Sequence, residues 1–189
     1  MDIETIESNK RFSNLYSTLF DVDTSIDWNN LYKAENFKQW LLKPEFWLYL
    51  WSNSPGSWKT TTAVKLWKYL MNKWYRVLAL SLIDYKNHLK KTFWVKNTGE
   101  KAFYDYIYRY DYIILDDISY HVSWEWTNEI LKDLFDVAFN KNKPKMILTA
   151  QMEIKNLPLP NAIKSRIMWI CHEIHFPEQD RRKRIKFNF

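Results

Sequence analysis

Asn53-Ser54-Pro55-Gly56-Ser57-Trp58-Lys59-Thr60 decides how this chain is read. The segment has the length and the closing Lys-Thr of the phosphate-loop pattern G-x-x-x-x-G-K-[ST], but Asn53 and Trp58 stand at its two flanking glycines. A loop of this kind leaves a strand and enters a helix. Several backbone N–H groups and the positive helix end then converge on one point, which suits a nucleotide's phosphates. In that arrangement Lys59 reaches the β- and γ-phosphates of ATP as a point charge, and the Thr60 hydroxyl ligates Mg²⁺. Ser54, Pro55, Gly56, Ser57 and Thr61 complete the expected cradle. Trp58 is discordant, because its indole projects where backbone must approach phosphate closely, and as written the loop is expected to bind ATP poorly. Asn53 is less serious, since Asn tolerates left-handed backbone better than other non-glycine residues.

Around the loop, from Phe46 onward, compact apolar runs alternate with helical patterns, the signature of βαβ units and a parallel sheet in an α/β fold. Candidate strands cover residues 46–51, 76–82, 112–115, 145–149 and 170–176. Ala63, Leu66, Trp67, Leu70 and Met71 recur at helical spacing after Thr60, as do Ile130, Leu131, Leu134, Phe135 and Ala138 later, and both stripes read as core. Residues 101–109 are expected to form a further helix. Residues 1–44 read as a short N-terminal arm, with a loop at Asp21-Val22-Asp23-Thr24-Ser25 and a helix over 31–42 closed by Lys43-Pro44.

The other half of a nucleotide site should be an acidic residue ending a buried strand, and Tyr112-Ile113-Ile114-Leu115-Asp116-Asp117 supplies one. Asp116 is the natural Mg²⁺ partner, directly or through water, while Asp117 is placed to orient or deprotonate the attacking water. An apolar run followed by Asp-Asp is, taken alone, also a common strand ending in a turn.

Glycine occurs only twice, at Gly56 and Gly99, where average usage of about 7% gives roughly 13, and tryptophan occurs 11 times. One event accounts for both counts: Trp and Gly codons differ only at their first base, and some bacteria read UGA as glycine while others read it as tryptophan. Trp58 and Trp74, with Trp47, Trp94 and Trp169 as further candidates, then stand at positions that want glycine. The alternative is an aromatic-rich protein whose tryptophans are real. Trp40 reads as a true core tryptophan in either case.

A net charge of +6 and the run Arg181-Arg182-Lys183-Arg184-Ile185-Lys186 suit a polyanionic partner, or only a solvated tail. The single Cys171 excludes an intramolecular disulfide and fits a reducing cytoplasm. No secretory signal or stretch of 18 apolar residues is present, so neither export nor membrane spanning is expected.

With loop and Asp-Asp pair in place, residues 46–180 resemble the AAA+ ATPases of the bacterial helicase-loader group, the DnaC and DnaI type, and the related IstB-like transposition helpers. Lys145-Met146-Ile147-Leu148-Thr149-Ala150-Gln151 looks like the family's sensor strand, which normally ends in Thr-Ser-Asn and sets an amide near the γ-phosphate; Gln151 stands at the Asn position. Ala162-Ile163-Lys164-Ser165-Arg166-Ile167 looks like its Ser-Arg box, whose arginine completes a neighbour's site. The resemblance therefore implies that Arg166 acts in trans, in a homo-oligomer. Gln179-Asp180-Arg181-Arg182 looks like the end of the loader domain, with Arg181 or Arg182 as a weaker phosphate-sensing candidate.

The resemblance implies a three-layer P-loop NTPase fold of AAA+ type, with a five-stranded, mainly parallel sheet between helices. It places an ATPase domain at residues 45–189 without a full helical lid. It also implies an ATP- and Mg²⁺-dependent, cytoplasmic helicase loader acting on single-stranded DNA, with a replicative helicase as partner. Two other functions stay open: an adaptor whose degenerate loop hydrolyses nothing, and an IstB-like transposition helper. Cys171-His172-Glu173-Ile174-His175 carries metal-ligand residue types, but on a strand His172 faces away from the others, and a structural strand is the better reading than zinc. No Ser, His and Asp set has a local context suggesting covalent catalysis.

Overall fold

The computed structural model describes residues 34–42, 46–84, 105–119 and 125–178. Five strands, β1 (Trp47–Trp51), β2 (Val77–Ser81), β3 (Tyr112–Asp116), β4 (Lys145–Ala150) and β5 (Cys171–His175), form one parallel sheet in the order β2-β3-β4-β1-β5. Between them run α1 (Ala34–Leu42), α2 (Lys59–Asn72), α3 (Glu125–Lys141) and α4 (Asn161–Ile170), with a 3₁₀ turn at Ile154–Asn156 before α4.

Alternation along each strand divides the interior in two. Leu48, Leu50, Val77, Ala79, Ile114 and Ile147 face one core, where α2 contributes Ala63, Leu66, Trp67 and Leu70 and α1 contributes Phe37 and Trp40. Tyr49, Leu78, Leu80, Ile113, Leu115 and Leu148 face the other, covered by Leu131, Leu134 and Phe135 of α3 and Ile163 and Ile167 of α4. This is a three-layer α/β domain. Both sheet faces are covered, so the inner strands are nearly continuous apolar runs, whereas β5 lies at an edge and can be polar.

The strands fall within a residue or two of the sequence expectation. Residues 105–107 form one helical turn of the expected 101–109 helix, and 101–104 lie outside the described residues, as do 31–33, the 21–25 loop, Lys43-Pro44, Trp94 and the basic run from Arg181. Trp40 is a core residue, its Nε1 donating to the Phe46 carbonyl at 2.9 Å. No helix among the described residues is long and apolar enough to cross a membrane.

Helix α2 ends where the sequence calls for a left-handed cap. Trp74 has φ 66°, and the Trp74 and Tyr75 amides donate to the Met71 and Leu70 carbonyls at 3.0 and 3.1 Å. These are the two bonds of a Schellman motif, whose left-handed residue is usually glycine. Here it is a tryptophan 94% exposed. The other candidates differ: Trp47 is buried against Phe135 in a regular strand and Trp169 lies within α4, so neither backbone requires glycine.

At the opposite end of the sheet Asp111 gathers the starts of three strands. Its carboxylate accepts from the Arg76 amide at 2.8 Å, pairs with Lys143 Nζ at 2.8 Å and with Arg76 Nε at 3.5 Å. Partial burial alone would raise the Asp111 pKa, but the bonds from Lys143 and Arg76 prevail and hold it below the usual carboxylate value. A depressed carboxylate stabilises the fold fully above its unfolded pKa of about 3.9, and that contribution fades as pH falls through the lower folded value. Asp111→Asn is therefore expected to lower stability by about 1 kcal/mol at neutral pH. In thermal melts against pH, the gap between native and variant should close below about pH 4; a gap independent of pH would show that the charge is not responsible.

Candidate nucleotide site

The phosphate-loop residues leave β1 and enter α2 at the carboxyl end of the sheet, where ligands of open α/β sheets bind. Gly56 takes φ 71°, and Trp58, the N-cap of α2, takes φ 70° and ψ 10° with no side-chain cap. The Trp58 carbonyl still opens the helix, accepting from the Thr62 amide at 2.9 Å. A left-handed backbone is a rare state for a bulky residue and an easy one for glycine. Trp58 is 37% exposed.

Inside the loop Lys59 folds inward. Its Nζ donates to Ser57 Oγ at 2.9 Å and to the Ser54 and Ser52 carbonyls at 3.1 and 3.4 Å. Burial pushes the Lys59 ammonium below its ordinary pKa, while the Asp117 and Asp116 carboxylates pull it back up. Ser52 and Ser57 are buried, and Ser52 Oγ accepts from the Ser54 amide at 3.2 Å, so hydroxyls brace the loop from below. Asn53 reaches Glu178 with its side-chain amide, Pro55 is exposed, and Thr61 is buried in the first turn of α2.

The acidic half arrives by register. Leu115 of β3 pairs with Leu148 of β4, so Asp116 and Thr149 follow side by side, on the sheet face of Ile114 and Ile147 that α2 covers. Thr60 Oγ1 and Thr149 Oγ1 both donate to Asp116 Oδ1, at 2.9 and 2.6 Å. Asp117 turns off the strand with φ 54°, a left-handed state that Asp tolerates. Its carboxylate accepts from Ser119 Oγ at 2.9 Å and Gln151 Nε2 at 3.2 Å. The structure thus brings together Lys59, Thr60, Asp116, Asp117 and Gln151.

The Thr60 hydroxyl and the Asp116 carboxylate are hard oxygen donors in direct contact, a set that fits Mg²⁺, which takes one or two protein ligands and completes its shell with phosphate and water. Among the described residues no group of three His, Cys, Asp or Glu could hold a metal, the 171–175 strand included.

Arg166 lies elsewhere. Its guanidinium pairs with Asp136 and sits 6.0 Å from the Phe139 ring, both on α3, across the sheet from α2. Within one chain it is a half-exposed surface arginine with an acidic partner. Arg181 and Arg182 lie outside the described residues. A surface groove of about 610 Å³ along α4, lined by Lys155, Asn161, Lys164, Ser165, Met168 and Trp169, contains none of the loop residues.

Sequence reasoning placed Thr149 in the 145–151 sensor strand without giving it a role, and did not single out Ser119 or Ser52. The role of Thr149 could have been found, since strand alternation puts it two residues beyond Ile147 on the face below the loop. Ser119, in an irregular turn, carries no such signal.

No protein-family profile and no curated protein sequence matches the chain. Solved structures do match in fold. The DnaC helicase loader superposes with TM-score 0.67 at 18% identity, over 89% of this chain and 99% of that one. DnaI superposes with TM-score 0.64 at 20% identity, over 83% and 89%. The replication initiator DnaA bound to AMPPCP and single-stranded DNA gives TM-score 0.65 at 19% identity, covering 84% of this chain. The chain spans about half of DnaA, 48% of its length. The chain therefore shares the fold of these solved structures, a helicase loader and a replication initiator among them.

Proposed function

We propose that the chain is an ATP-binding and ATP-hydrolysing replication protein, a helicase loader acting on single-stranded DNA in the cytoplasm, with residues 45–189 as the ATPase domain and 1–44 as an arm. The observation that carries this is the convergence of Lys59 and Thr60 from one segment with Asp116 and Asp117 from another, 56 residues apart at the Thr60–Asp116 bond. In use, Lys59 exchanges its loop carbonyls for phosphate oxygens, and the loop amides of residues 56–61 hold the remaining phosphate charge. Thr60 and Asp116 would hold Mg²⁺, which would supply positive charge to the phosphates. Asp117 orients and deprotonates the attacking water, with Gln151 beside it to contact the γ-phosphate. Arg166 of a neighbouring copy supplies the remaining cation once it leaves Asp136, making the active species a homo-oligomer. The replicative helicase and single-stranded DNA enter as partners through the likeness to DnaC, DnaI and the DNA-bound DnaA.

A second function, an adaptor that binds DNA or helicase without hydrolysis, is favoured by one observation, a tryptophan at the left-handed N-cap of α2 where a phosphate loop has glycine. Sedimentation of the full chain, with Trp58 and with Trp58→Gly, each with an oligothymidine and with or without Mg·ATP, separates the two. A loader forms ATP-dependent oligomers on DNA, Lys59→Ala abolishes that dependence, and Arg166→Ala lowers hydrolysis by about 10³-fold while nucleotide still binds. Sedimentation unaffected by ATP would leave the adaptor.

A further inference from the structure

Three consecutive residues leaving β3 are held by a single residue of β4. Thr149 Oγ1 donates to Asp116 Oδ1 at 2.6 Å and accepts from the Asp117 amide at 2.8 Å, while the Thr149 carbonyl accepts from the Ile118 amide at 2.9 Å. Thr149 is 1% exposed, so water has little access to replace its hydroxyl. The hydroxyl uses its proton on the carboxylate and a lone pair on the amide, and loss of the oxygen leaves both partners short of a bond. The amide bond also fixes the start of the left-handed turn at Asp117.

Ser119 repeats the arrangement one step outward. Its Oγ donates to Asp117 Oδ1 and accepts from the Gln151 amide, both at 2.9 Å, tying the second carboxylate to the residue after β4. Each hydroxyl therefore serves a different carboxylate.

We propose that Thr149 and Ser119 are positioning residues with divided roles: Thr149 aims the metal-side carboxylate of Asp116, and Ser119 aims the water-side carboxylate of Asp117. The proposal rests on the nucleotide-site function above and adds two residues outside the phosphate-loop and Asp-Asp motifs. A carboxylate held by a buried hydroxyl presents its other lone pairs in a fixed direction, and loss of such an outer partner typically lowers metal affinity or activity by about 10–100-fold.

The test uses the full chain carrying Trp58→Gly, with ATP hydrolysis measured across a Mg²⁺ titration and a thermal melt for each variant. Thr149→Val should raise the half-saturating Mg²⁺ concentration about tenfold or more, and Thr149→Ser, which keeps the hydroxyl, should stay within about threefold. Ser119→Ala should leave the Mg²⁺ midpoint in place and lower kcat about tenfold. A merely structural Thr149 would lower the melting temperature without moving the Mg²⁺ midpoint. That result, or a Mg²⁺ shift in Ser119→Ala equal to that of Thr149→Val, overturns the division of roles. A parent without Mg²⁺-dependent hydrolysis overturns the nucleotide function instead, and backbone hydrogen exchange then decides the clamp. Thr149→Val should speed exchange at the Asp117 amide and Ser119→Ala should not; an unchanged Asp117 amide in Thr149→Val rejects it.

Discussion

Replacing Trp58 with glycine should raise the affinity for Mg·ATP by about tenfold or more, since a phosphate held off the loop forfeits at least one charge-assisted bond of about 1.5–3 kcal/mol. The backbone at position 58 is already in the conformation glycine prefers, with φ 70°, so the substitution needs no rearrangement of the loop. Trp74→Gly is the control. It removes a left-handed tryptophan at a helix end remote from the loop, and should raise stability by about 1 kcal/mol with no change in ATP affinity. Isothermal titration and thermal melts of the two variants separate the effects, and equal ATP affinity in Trp58→Gly and the parent would show that the indole is no obstruction. The glycine deficit gives the same experiment a natural counterpart: the mass of the peptide spanning residues 53–59 from the native host reads the residue at 58 directly.

Asp117→Asn should leave ATP binding within a few fold and lower hydrolysis by about 10²–10⁴-fold, the usual contribution of a positioned general base. The variant keeps the size of the side chain and an oxygen for Ser119 Oγ, at 2.9 Å in the native protein, but loses the negative charge and one acceptor. Asp116 is untouched and still receives both threonine hydroxyls, so nucleotide and Mg²⁺ should still be held. Single-turnover hydrolysis beside binding of a fluorescent ATP analogue checks both halves. Hydrolysis at the parent rate would remove Asp117 from the water-activating role.

The fold was legible because parallel strands covered on both faces must be largely apolar, and the stretches ending at Trp51, Leu115 and Leu148 are. The Lys59–Thr60 and Asp116–Asp117 pairs were legible for a related reason: each follows such a run, and charged groups so placed emerge together at one edge of the sheet. Trp58 and Trp74 announced themselves by occupying places where the chain must turn left-handed. Trp47 and Trp169 did not fit that reading, because a strand and a helix interior make no such demand. The surroundings of Arg166 could not be read in advance. Its partner Asp136 is 30 positions away on another helix, a contact set by how α3 and α4 pack and not by either local pattern. The Ser119 bonds are hidden similarly, since they depend on an irregular turn meeting the end of β4.

The central claim is that this loop and these carboxylates hold one nucleotide, and the structure of the full chain carrying Trp58→Gly with Mg²⁺ and a non-hydrolysable ATP analogue tests it most directly. The expected result is that Lys59 Nζ has left the Ser52 and Ser54 carbonyls for the phosphates, which lie within hydrogen-bond reach of the amides of residues 56–61, with Thr60 and Asp116 holding the metal. A nucleotide bound elsewhere, with Lys59 still on Ser57 Oγ, would contradict it.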